Sequence, residues 1–189
     1  MAFGSTRPTW QRLPTVPENT NIQPPHSFQD ARNRLRSRSI QSAAYVSSFA
    51  EKYSVRMLSI GARTGTDLRN HQIDEITRKT SAEMNSVVED MSDWSKVFMS
   101  QAGRALNLNH ERMEQLFNDY KAALKVIGQV LSDVFKYLKR IMRALRDGLI
   151  AIAKAAKEFI AKVKELVTRA VSNIHDLFEK RDGGPVVLY

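Results

Sequence analysis

Residues 136–146 read KYLKRIMRALR, five cations in eleven positions with no acid among them. At helical spacing Lys136, Lys139, Arg140 and Arg143 share one flank, and Arg146 extends it. A row of this kind can follow a phosphate backbone by charge, while carrying no information about base sequence. A second basic group, Arg32, Arg34, Arg36 and Arg38, alternates with Asn, Leu and Ser. Residues 32–38 fit either the first turns of a helix or a basic arm; as an arm, the alternation suits an extended strand with its arginines on one side, or a polybasic segment that orders on a polyanion. These nine residues form the candidate contact with nucleic acid or another anionic surface. Ser37 and Ser39 lie inside the second group, where phosphorylation would cut the local charge.

Other chemistry is weakly represented. The four histidines, His26, His71, His110 and His175, include no pair three or four apart, and cysteine is absent. No metal site, thiolate nucleophile or disulfide is therefore expected. Residues 61–66, GARTGT, have the glycines of a phosphate loop but lack its Gly-Lys-Ser/Thr ending. No strand pattern precedes them, so a turn between helices explains them. No nucleophile–base–acid set stands out. The expectation is a non-enzyme with no catalytic residues, no cofactor and no small-molecule substrate.

The elements that carry these residues read as helices. Five of the six prolines fall in the first 25 residues, and the sixth is Pro185. Proline lacks a backbone donor and blocks helix interiors. The partition predicts an extended Pro-rich arm at 1–26, a helix-permitting body, and a short C-terminal tag at 182–189. Within 27–108 two helices are expected. The first starts near Ser27, whose spacing to Asp30 suits a capping box, and stops at Gly61–Gly65. The second runs over about 66–101 with Thr66 as a cap, followed by a connection at 102–108. Asn107 or Asn109 would cap the third helix.

Residues 109–181 carry the clearest pattern. Leu131, Val134, Leu138, Ile141, Leu145, Ile152, Phe159, Val163 and Leu166 recur at three- and four-residue steps, the signature of a buried helical stripe. These positions are the candidate helix–helix interface. The segment is either one long basic amphipathic helix or a hairpin broken at Gly148, with Gly128 a lesser weak point. Glu158 with Lys162, and Glu165 with Arg169, are spaced to pair along the helix. The fold class is thus all-α: three to four long amphipathic helices as an elongated bundle or coiled-coil-like rod.

Charge narrows the function classes. Of the net +9, residues 1–40 carry six Arg against two acids (+4), 41–105 balance at eight of each, and 106–189 hold fifteen cations against ten acids (+5). Basic ends suit partners bearing phosphate. Residues 1–25 lack a signal-peptide apolar core, and no apolar run reaches a membrane span, so a cytoplasmic or viral-particle location is expected. The leading expectation is a structural assembly protein. It would be a homo-oligomer or part of a larger protein assembly, a component of a viral or phage particle that self-associates through its helices and contacts neighbours with its arm. One alternative is a membrane-active protein that opens onto an anionic membrane, since residues 148–171 have the Ala/Ile/Lys composition of surface helices. The other is sequence-nonspecific nucleic-acid binding.

Overall fold

No proline falls between His26 and Gly184, and helix occupies almost all of that stretch. The computed structural model describes residues 22–64, 70–148 and 150–180; the side chains of residues 60–64, 70 and 73 lie outside the description. Four helices run in order: α1 (Phe28–Thr64), α2 (Asn70–Leu106), α3 (His110–Arg146) and α4 (Ile152–Glu179). No strand occurs among the described residues. Each of the first three helices has 37 residues, a length of about 55 Å at 1.5 Å per residue.

The helix ends show how local chemistry sets the boundaries. Ser27 Oγ accepts the Asp30 N–H at 3.0 Å, and the Asp30 carboxylate accepts the His26 N–H at 2.9 Å. This is the expected cap, with the return bond falling one residue earlier than in a standard capping box. Asn109 caps α3 by accepting the Arg112 N–H at 2.9 Å. Just before it Asn107 takes φ 46°, a left-handed conformation that asparagine tolerates at a helix end. The connection is therefore 107–109, shorter than expected, because α2 runs through Gly103 to Leu106. Helix α1 ends at Thr64, inside the expected stop at Gly61–Gly65. A helical glycine costs only about 1 kcal/mol, which packing along a long helix outweighs. The expected cap Thr66, the arm up to residue 21 and the tag at 182–189 fall outside the described residues.

The stretch 109–181 is a hairpin. Gly148 takes φ +67°, and its N–H donates to Leu145 O at 3.1 Å. Only glycine adopts that backbone without strain. Gly128, by contrast, sits inside α3.

Side-chain contacts set the directions of the helices. Late α1 meets early α2, where Lys52 pairs with Glu83 at 3.4 Å. Late α1 also meets early α4, where Ser54 Oγ donates to Ala156 O at 3.2 Å. Residues 125–133 of α3 face 166–173 of α4. Neighbours are thus antiparallel, an up-down-up-down bundle with short connections. Helix α1 packs most extensively on α4 and also meets α3 across the diagonal, whereas α2 and α4 do not approach each other.

The core runs the length of this bundle. Leu131, Val134, Leu138, Ile141 and Leu145 of α3, with Phe159, Val163 and Leu166 of α4, are buried, and Ile152 is half-buried. Burying each such side chain is worth about 1.5–3 kcal/mol. The stripe therefore covers itself within one chain. On α1 and α2 the buried face is interrupted by hydroxyls, three of which bond back to their own helix: Ser39 donates to Leu35 O, Thr80 to Ile76 O and Ser95 to Met91 O, at 2.6–2.7 Å. Buried hydroxyls need such partners.

Candidate polyanion interface

The turn at 147–151 folds α4 back along α3 and leaves the opposite side of α3 in water. At 100° per residue, Lys136, Lys139, Arg140, Arg143 and Arg146 fall within an arc of about 120°, facing away from buried Leu138, Ile141, Met142 and Leu145. All five are exposed. The row extends about 15 Å along the axis.

Their partners differ. Lys136 lies 3.8 Å from Asp133, and Arg146 Nε donates to Asp147 at 3.1 Å. Lys139 stands over the Phe135 ring at 4.6 Å, and Arg140 over the Tyr137 ring at 4.8 Å. These ring contacts steady the long side chains without neutralising them. Lys139, Arg140 and Arg143 meet no carboxylate among the described residues. Three adjacent cations thus keep their full charge at the surface.

Helix α4 supplies one more member. A shallow groove is lined by Asp133, Lys136, Tyr137 and Arg140 of α3 with Lys162 and Leu166 of α4. Lys162 is itself bonded to Glu165 at 2.8 Å. Sequence reasoning missed Lys162 because its place depends on the hairpin. Positions equally far from the turn face one another, and Lys136 and Lys162 are such a pair. On α4 Arg169 pairs with Glu165 at 2.8 Å as spaced, whereas Glu158 lies 3.9 Å from Lys154 instead of meeting Lys162.

The other arginine group does not form one surface. In a helix, residues two apart point about 200° away from each other. Arg32 is buried and cannot meet an external anion: its Nε donates to Asp119 Oδ2 at 2.8 Å, and Nη2 reaches Phe178 O at 3.3 Å. Arg34 is bound to Asp30 at 2.9 Å and to Gln23 O at 2.8 Å. Arg36 is half-buried. Arg38 is half-buried and lies over the Trp94 ring at 5.7 Å. Of the two expectations for residues 32–38, first helical turns or a basic arm, the segment takes the first, within α1.

Among the described residues no group of three or more His, Asp or Glu converges to hold a metal ion, and no helix is long and apolar enough to cross a membrane. The acids concentrate on α2, six against four cations, whereas α3 carries eight cations against four acids. The bundle is therefore electrically lopsided. Comparison of the chain with known protein families, curated proteins and solved structures finds no match.

Proposed function

We propose that this chain is a non-enzymatic structural protein of a nucleic-acid-containing assembly, such as a viral particle, and that it lies against the nucleic acid through the outer face of α3. The observation that carries the proposal is the exposed triplet Lys139, Arg140 and Arg143, which has no acid partner among the described residues and is flanked by Lys136 and Arg146. Helical rows of free cations bind phosphate by releasing its counterions, without selecting sequence.

The particle setting rests on composition: the Pro-rich residues 1–26 and the basic charge at both ends. Self-association through the α3–α4 stripe is not part of the proposal, because those side chains are covered within the chain. A membrane-active role would require α4 to leave α1 and α3 and to expose Phe159 and Val163, which are fully buried.

The test is binding of the full chain to nonspecific duplex DNA and to RNA across a salt series, beside Lys139→Gln/Arg140→Gln/Arg143→Gln. Each phosphate contact adds about 0.9 to the log–log salt slope on duplex DNA. The expected result is salt-dependent binding whose slope falls by about two to three in the variant. An unchanged slope removes this face from the account. Binding to anionic vesicles with none to nucleic acid would favour the membrane role instead.

A further inference from the structure

A separate cleft opens between α1 and α2, beside the segment that leads into α1. Its volume is about 540 Å³, and its lining includes Ile22, Asp30, Arg34, Ser37, Arg38 and Trp94. This size is in the range of small-ligand pockets. Its three charged lining residues are Asp30, Arg34 and Arg38. Asp30 and Arg34 neutralise each other at 2.9 Å. One positive charge, that of Arg38, is left over.

Arg38 is set up unusually for a surface arginine. Its guanidinium lies over the indole of Trp94, and Trp94 in turn stacks on Phe98 at 4.7 Å and 10°. Phe98 is fully buried, so this stack is anchored in the core. Arg38 Nε is sealed from solvent and has no hydrogen-bond acceptor. Asp90 acts on Arg38 only at a distance, and burial lowers the pKa of the guanidinium from its ordinary value. With Nε closed off, the two Nη groups form the fork that a second group can reach. That fork matches a carboxylate, which can accept two parallel bonds.

We infer that the α1–α2 cleft is a binding site for a monocarboxylate with an apolar body, its carboxylate on Arg38 and its body against Ile22 and Trp94. Charge argues for a monoanion, because a single positive charge is left over once Asp30 and Arg34 pair. The apolar part of the ligand is set by the Ile22 and Trp94 surfaces. The carboxylate could belong to a free acid or to the end of a polypeptide.

The test is titration of the full chain with octanoate, read on the indole N–H resonance of Trp94. Octanol, acetate and inorganic phosphate serve as controls. A peptide ending Val-Leu with a free carboxylate, beside its amide, forms the second arm. Saturable binding of octanoate, of the free peptide, or of both supports the site, and the arm that binds identifies the source. Octanol and the peptide amide should bind at least about tenfold more weakly, the loss of one charge-assisted pair. Arg38→Gln should weaken binding by a similar factor, with helicity checked by circular dichroism. Ser37→Phe fills the cleft from an exposed position and should abolish binding without touching the core. No saturable carboxylate binding, equal binding of phosphate, or full binding by Ser37→Phe would overturn the assignment.

Discussion

Arg32 Nε and Asp119 Oδ2 meet at 2.8 Å across 87 residues of sequence, and their side chains are 3 % and 0 % exposed. The pair joins the start of α1 to α3, and Arg32 also reaches the Phe178 carbonyl at the end of α4. The Phe178 ring lies 5.8 Å from the guanidinium. Three helices are thus pinned at one end of the bundle by one arginine. Removing a single partner leaves a buried charge uncompensated, at a cost of about 3–5 kcal/mol. Asp119→Ala should lower the unfolding free energy by that amount in urea titrations. Replacing both, Arg32→Met with Asp119→Leu, should recover most of the loss, because an apolar pair of similar volume carries no desolvation penalty. If the double variant is as unstable as the single one, the pair is not the source of the effect.

The hairpin turn gives an opposed pair of glycine predictions. Gly148 has φ +67°, so Gly148→Ala should cost about 1 kcal/mol or more. Gly128 lies within α3, where an added Cβ meets nothing within 4 Å. Gly128→Ala should therefore stabilise the bundle by about 0.5–1 kcal/mol. Thermal unfolding of the two variants should move in opposite directions. A shared direction would contradict the placement of the break.

These glycines also show what can be read from the chain alone. The α3–α4 stripe, the cap at Asn109 and the weak point at Gly148 depend on neighbours in sequence, and all are legible there. The end of α2 is not, because Gly103 looks like a stop until the packing that carries the helix through it is known. Arg32 misleads for a similar reason. Nothing near it in sequence reveals Asp119, and the alternation of Arg32 to Arg38 reads as one surface only in an extended chain. Lys162 and the Arg38–Trp94 contact likewise depend on which helices become neighbours.

Asp30 links the α1 cap to pH. The backbone N–H of His26, and after it Arg34, hold the Asp30 carboxyl below its ordinary value of 3.8. The unfolded chain therefore takes up this proton at a higher pH than the folded one. The stabilisation is present above the ordinary value of 3.8 and is lost as pH falls through the lower folded-state value. Asp30→Asn should cost no more than about 1 kcal/mol at neutral pH, since the site is partly exposed. The gap between wild type and variant should close in acid. A gap that does not shrink at all as pH falls from neutral to about 2 would mean the carboxylate charge is not what the cap uses.

The basic face should be nearly neutral for stability, and that makes it a clean target. Lys139, Arg140 and Arg143 are exposed and form no ion pair among the described residues. Exposed substitutions of this kind usually stay within about 0.5 kcal/mol. Three adjacent like charges also repel one another on the folded helix, and glutamine has a comparable helix propensity. The triple Gln variant should therefore unfold at the same urea concentration as wild type or slightly above it, with the difference shrinking as salt screens the repulsion. A marked loss of stability would mean these side chains hold the α3–α4 hairpin together through contacts with Phe135 and Tyr137. Their effect on nucleic-acid binding would then have to be separated from unfolding by using Lys139→Arg, which keeps both the charge and the ring contact.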